Sequence, residues 1–217
     1  MSPGAIRGMR LARHTRGRMR VLALIGVFSL LAVSPVGAAS EAPVAEGAPE
    51  FRSGVFDPPR MAPDFHLEGS DGAPLHLARF RGKVVILEFG FTSCTEVCPF
   101  TLATLARARK LLGDVAEDVQ VVFVTVDPER DDPERLRDYL ASFDASFLGV
   151  TGTPEALAEM RSRYGIAAKK VIHESGYSYS HSSYTYLIDR QGDLRALVPY
   201  GQPAEDYAHD IGILTAP

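Results

Sequence analysis

The chain has 217 residues, 23 Lys and Arg against 27 Asp and Glu, 46% hydrophobic residues and two cysteines, a balance that excludes collagen, a coiled coil and a wholly disordered chain. At this length one core buries roughly 70% of the surface of the unfolded chain, so no framework of disulfides is needed for folding. The net charge of −4 hides an asymmetry: residues 1–39 hold six arginines and no acid, which leaves 17 bases against 27 acids, or −10, in the remainder, and an acidic body offers no basic face to nucleic acid.

The arginine-rich start runs into the apolar stretch Val21 to Val33 and then into small residues at Val36, Ala38 and Ala39. That is the order of a secretory signal, and it predicts a signal peptide over 1–39 and an oxidising, periplasmic location for the mature chain. Thirteen apolar residues span about 20 Å as a helix, short of the ~30 Å hydrocarbon core. An uncleaved N-terminal membrane tether is the second reading. No cysteine follows the stretch, as a lipoprotein anchor requires, and no adjacent Arg-Arg pair precedes it. Residues 40–60, rich in Pro, Ala, Gly and Glu, have the composition of a flexible linker, with the folded domain over 61–217.

Regular patterning begins at Asp64, where "DFHLEGSDGAPLHL" alternates around a Ser-Asp-Gly turn and predicts an N-terminal β-hairpin. "KVVILEF" (Lys83 to Phe89) and "VQVVFVTV" (Val119 to Val126) are apolar runs rich in β-branched residues, the pattern of strands covered on both faces in a mostly parallel sheet. Between them, Leu102, Leu105, Leu111 and Leu112 recur at helical spacing from Phe100 to Leu112, with Arg107, Arg109 and Lys110 toward the end, where cations suit the helix dipole. Asp132 before Pro133 and Thr153 before Pro154 are helix starts, each with a following Glu, predicting helices to Phe143 and Tyr164. Residues 165–180 read as a polar loop, "YTYLID" and "LRALVP" as a hairpin, and Pro203 to Ile213 as a last helix. Together these predict a three-layer α/β domain.

Both cysteines lie in "FGFTSCTEVCPFTLATL", after a strand and before a helix. Open α/β sheets bind ligands at the carboxyl ends of their strands, and a helix amino end favours thiolate. Three readings compete. A structural disulfide is geometrically feasible, but the loop it closes is short and its entropic gain small. A thiol-disulfide oxidoreductase usually has two residues between its cysteines, and here there are three. A metal site uses the wider spacing to share one ion between two sulfurs, which select soft ions, Cu(I) first and Zn(II) as competitor. A third ligand, most naturally imidazole, is needed for a centre holding both copper oxidation states. Of six histidines, His14 falls in the signal, His66 and His76 in the first hairpin and His209 in the last helix. His173 and His181 lie in or beside the polar loop. His181, three residues before the strand at Tyr184, is favoured because in a thioredoxin-like sheet that strand neighbours the cysteine strand.

At this point the chain resembles the Sco/SenC family of thioredoxin-fold copper proteins that serve cytochrome c oxidase assembly. The resemblance runs from Met61 to Val198 and rests on "FTSCTEVCP", "VTVDPERDDPE", "FLGVTGTPE" and "HSSYTYLIDRQGDLRA", in that order. It implies a thioredoxin-like three-layer fold with a central mixed sheet and helices on both faces. It also implies one copper per chain, Cu(I) or Cu(II), held by Cys94, Cys98 and His181, with Cys94 and Cys98 closing into a redox-active disulfide when metal-free. The implied partners are a copper-receiving subunit of a respiratory oxidase and a periplasmic thiol reductant. The family commonly has Pro-Asp where this chain has Thr95-Glu96, and Asp where it has Ser180. Glu96 keeps acidic character there, and Asp127, ending its strand, is the other candidate to orient the ligands.

Two rivals share the cysteine turn. A peroxiredoxin places a proline seven residues before its cysteine, where this chain has Phe91. A thioredoxin-type reductase, the alternative reading of function, places a proline before the strand facing its cysteines, and no proline occurs between Pro154 and Pro199.

Overall fold

A computed structural model describes residues 50–216. The signal segment 1–39, its export and tether roles, and residues 40–49 of the linker lie outside the described residues.

The centre of the sheet is where the two apolar runs predicted it. Strands β4 (Val84–Gly90) and β5 (Val119–Thr125) pair in parallel, and every residue of β4 is buried. Full burial follows from the layers. Phe89 packs on Tyr164 of α3 (Pro154–Tyr164), while Glu88 reaches through Thr185 toward Tyr207 of α4 (Ala204–Thr215) on the other face. Helices α1 (Val97–Leu112) and α2 (Pro133–Ala141) share the α4 face, since Gly90 abuts Cys98 and Gly149 abuts Leu136, as right-handed crossovers between parallel strands require.

Strand β6 (Leu148–Thr151) adds a third parallel strand. The rest is antiparallel. β9 (Tyr184–Ile188) pairs with β4 and with β10 (Asp193–Pro199), and the hairpin of β2 (His66–Gly69) and β3 (Pro74–His76) joins β6 at the far edge. The sheet is therefore mixed, and parallel only in its centre.

The two predicted caps form: Asp132 accepts from the Arg135 amide at 2.7 Å and Thr153 from the Ala156 amide at 3.2 Å, each with Pro at the start of its helix. In α1, Leu102 and Leu105 are buried and Leu112 packs half-buried on the core, but Leu111 is 52% exposed, so at the end of the helix only one of the two predicted leucines faces inward.

Two expectations are corrected. The linker assigned to 40–60 is folded over its second half. Strand β1 (Gly54–Met61) pairs with β10 as an edge strand, and the Arg52 and Ser53 amides donate to the buried Asp210 carboxylate at 2.8 and 3.0 Å. Its side chains are mostly exposed, so main-chain pairing holds it, and an edge strand tolerates Pro58 and Pro59. Composition reports side-chain burial and is blind to that. The polar loop assigned to 165–180 is a second error. Strands β7 (Ala168–His173) and β8 (Gly176–His181) form a two-stranded ribbon, joined to the rest of the domain by Arg130 stacked over the Tyr177 ring, the Lys170–Glu129 ion pair and the edge-on packing of Phe91 on Tyr179.

Candidate metal centre

The turn after β4 carries the cysteines, and three side chains shape it. A Cβ on Gly90 would lie 2.6 Å from the Phe123 ring and 2.9 Å from Cys98 Sγ, so only glycine lets the strand end pass beneath the thiol. The Thr92 amide and hydroxyl donate to Asp131 at 3.0 and 2.6 Å, and the Thr125 hydroxyl donates to the same carboxylate at 2.6 Å. Asp131 is fully buried. It ties the strand end, the cysteine turn and the start of α2 together.

Cys98 sits in the first turn of α1 and is buried, while Cys94 stands before the helix and is half-exposed; both are free thiols. The Cys98 amide donates to Cys94 Sγ at 3.3 Å. The Cys94 thiol is pulled down to about 5, first by a hydrogen bond from the Cys98 thiol and then by the amides of Cys98, Glu96 and Val97, against the opposing effect of burial. The Cys98 thiol is pushed up, by giving its proton to that bond and by burial. The first proton therefore leaves from Cys94. Alkylation with iodoacetamide should accordingly modify one thiol, Cys94, with a rate that rises through a midpoint near pH 5. Equal labelling of both cysteines, or a midpoint near that of a free thiol, would contradict this arrangement.

His181 ends β8 with Nε2 3.8 Å from Cys98 Sγ. Its Nδ1 lies 2.8 Å from the Ser182 carbonyl. A carbonyl can only accept, so Nδ1 carries a proton, and in the neutral ring Nε2 then keeps its lone pair facing the sulfur. The Phe91 ring meets the imidazole edge-on at 6.0 Å between centroids. His173, the other histidine of the ribbon, is exposed and its Nε2 lies 3.0 Å from Ser178 Oγ, away from the cysteines.

Among the described residues no three His, Cys, Asp or Glu side chains are already drawn in to ligand distances. The Cys98–His181 separation is nevertheless close to the ~3.6 Å that a sulfur and a nitrogen span on one tetrahedral ion, from metal–ligand bonds of about 2.3 and 2.0 Å. Two sulfurs and a neutral imidazole nitrogen form a donor set for a soft or borderline ion.

Glu96 stands at the helix start, exposed and without a side-chain cap bond. Asp127 is fully buried, but it touches neither cysteine nor His181. It pairs with Arg130 and accepts from the Tyr177 hydroxyl at 3.1 Å, reaching the ribbon that carries His181.

Sequence reasoning missed Asp131 and Glu88. Glu88 is buried with no cation partner among the described residues, accepts from the Thr185 hydroxyl at 2.6 Å, and is pushed up to about 8, chiefly by burial. A single carboxylate inside "KVVILEF" was the visible signal.

The family described as SCO1/SenC matches residues 55–216. The chain is 32% identical over 136 residues to the SCO2-like protein RC0895 of Rickettsia conorii, a match covering 61% of this chain and 66% of that one, just under two thirds of the relative's length. The solution structure of apo Sco1 from Thermus thermophilus superposes with a TM-score of 0.70 at 37% identity, covering 77% of this chain and 99% of that one. The structure of Bradyrhizobium japonicum ScoI with copper bound gives 0.66 at 31%, covering 71% and 99%. The fold is thus the thioredoxin-like α/β fold of the Sco proteins, and the chain belongs to the SCO1/SenC family.

Proposed function

We propose that this protein is an exported copper chaperone that carries one copper ion on Cys94, Cys98 and His181 and passes it to an empty copper site on a respiratory oxidase subunit. The observation that carries the reading is His181 Nε2 facing Cys98 Sγ at 3.8 Å, with Nδ1 bonded to the Ser182 carbonyl, beside an easily ionised Cys94. The copper-bound structure of the Bradyrhizobium relative supports the cargo, and the cysteine-block resemblance supports the destination.

Copper is the cargo, and the residues divide its handling. Cys94 offers a thiolate at the surface, where an acceptor's sulfur can replace it first. Cys98 loses its proton on loading, since only the thiolate binds the ion well. His181, fixed by Ser182, completes the set without carrying charge. Release by stepwise ligand exchange leaves no free ion. The signal-like order of residues 1–39 supports work in the periplasm, with the N-terminus as a tether if it is retained; among the described residues no helix is long and apolar enough to cross a membrane. There the metal-free pair closes into a disulfide, and loading needs a thiol reductant.

The split between an ionised Cys94 and a protonated Cys98 also favours a second reading, a thiol-disulfide reductase acting on the acceptor's cysteines. In that reaction Cys94 attacks the target disulfide and forms a mixed disulfide, releasing one target thiolate. Cys98, deprotonated, then displaces the second thiolate and leaves Cys94–Cys98 oxidised.

Anaerobic copper titration of the reduced protein beside His181→Ala separates the two. The chaperone reading expects one copper on these three ligands, a thiolate-to-Cu(II) absorption band, and loss of that band with at least a 100-fold weaker Cu(II) affinity in the variant. Disulfide exchange that persists unchanged in His181→Ala, with no copper held by the cysteines of either protein, moves the assignment to the reductase.

A further inference from the structure

The geometry points to a second metal site on this chain, a surface Cu(II) site formed by His66 and His76 on the β2–β3 hairpin at the edge of the sheet, away from the cysteines at its centre.

The two histidines are register partners, His66 on β2 directly opposite His76 on β3. Their rings lie 5.4 Å apart between centroids at an interplanar angle of 27°. Directly opposed residues have Cβ atoms about 4.5–5.5 Å apart. Two imidazoles at that spacing can each turn a nitrogen toward a common ion by rotation about χ1 and χ2 alone. The hairpin does not have to move, because its register is pinned from below: the next pair, Leu67 opposite Leu75, is buried in the core. Side-chain alternation then forces both imidazoles onto the outer face. Neither ring has a hydrogen-bond partner among the described residues, in contrast to His173, His181 and His209, each bonded through a ring nitrogen. Four ring nitrogens are therefore uncommitted, and one nitrogen from each ring is enough to chelate.

The donor type selects the ion. Imidazole nitrogens without sulfur suit Cu(II), Ni(II) and Zn(II), and Cu(II) binds most tightly in that series. Among the described residues no third protein donor stands in place, so water fills the remaining positions and the ion exchanges readily. The hairpin is three to four strands from β4 in the order β4, β5, β6, β2, β3, roughly 15–19 Å at the usual strand spacing. The two sites cannot share an ion. The inference does not depend on the function proposed for the cysteines; if that reading holds, the chain takes up oxidised copper at a nitrogen-only site separate from its thiol site.

The test is Cu(II) titration of the full chain carrying Cys94→Ser and Cys98→Ser, which silences the sulfur site, followed by electron paramagnetic resonance. The expected result is one Cu(II) per chain with nitrogen hyperfine structure. His66→Gln or His76→Gln, added singly, should weaken binding at least tenfold, and the two together little more, since a lone imidazole does not chelate. Unchanged circular dichroism in the Gln variants keeps loss of fold from imitating loss of ligand. Absence of Cu(II) from the thiol-free chain, or binding that both Gln substitutions leave untouched, overturns the site. Either result is independent of the His181→Ala titration, which reads the thiolate band.

Discussion

Glu88→Gln is expected to stabilise the protein by a few kcal/mol at pH 8 and to leave its stability near pH 4 almost unchanged. Glu88 lies in the middle of β4 with no cation beside it among the described residues, and burial lifts its carboxyl from an ordinary 4.5 to about 8. The Thr185 hydroxyl pulls the other way and the Cys94 charge adds to the rise, both more weakly than burial. A raised carboxyl means that the folded state holds its proton more tightly than the unfolded chain. Below pH 4.5 both states are protonated and there is no linkage. Between 4.5 and about 8 the unfolded chain has lost the proton and the folded protein keeps it, so stability falls by about 1.4 kcal/mol for each pH unit. Above that window the folded protein carries a desolvated charge and the loss is complete. Gln keeps the shape and an acceptor for Thr185 without the charge, so the variant lacks this slope. Cys94, held down to about 5, acts oppositely, adding stability as pH rises from about 5 toward the ordinary thiol value. It is present in both proteins and cancels to first order in their difference. Urea unfolding of both reduced proteins at pH 4, 6 and 8 measures the effect. Parallel profiles would show that Glu88 ionises in the fold without penalty.

How much of this was legible beforehand depends on what kind of force holds each part. Strands β4 and β5 are held by apolar burial on two faces, and burial writes itself into composition; the runs from Lys83 and Val119 could be read directly. The starts of α2 and α3 are held by a side-chain oxygen and a proline at fixed offsets, a local pattern that Asp132 and Thr153 display. Cys94, Cys98 and His181 could be singled out because the chemistry of two sulfurs asks for a third donor, and the strand after His181 flanks the strand before Cys94. Structure held by main-chain pairing or by non-local charge left no such trace. β1 is mostly exposed and pairs with β10, more than a hundred residues away. Asp131 was hidden among five carboxylates in one turn, and only the fold shows that it bonds Thr92 and Thr125. His181 was placed beside a loop, whereas it ends a ribbon whose anchorage depends on residues far from it in sequence.

That anchorage yields the second large effect: Arg130→Met is expected to destabilise the protein by roughly 2–3 kcal/mol and to loosen His181. Asp127 is completely buried, and Arg130 is its one salt-bridge partner among the described residues, the arginine side chain being 30% exposed. Removing one partner of a buried pair costs about 3–5 kcal/mol because the remaining charge is stranded. Partial exposure of Arg130 and the surviving hydrogen bond from Tyr177 bring the figure down. The same guanidinium stacks over the Tyr177 ring at 4.0 Å and donates to the Tyr177 carbonyl at 3.2 Å, while Lys170, bonded to Glu129 at 2.6 Å, lies over that ring at 3.7 Å. Tyr177 and His181 share β8, and Phe91 meets both Tyr179 and His181 edge-on. Arg130 is therefore a positioning residue for His181, acting through the ribbon. Two readouts separate this role from general loss of stability. Amide hydrogen exchange should accelerate in β8 well beyond the change in β4. The pair Asp127→Asn with Arg130→Met should recover most of the stability lost by Arg130→Met, because no stranded carboxylate remains, yet keep the fast exchange in β8. If exchange in β8 follows global stability across all three variants, the ribbon is held by its own pairing and Arg130 does no more than neutralise Asp127.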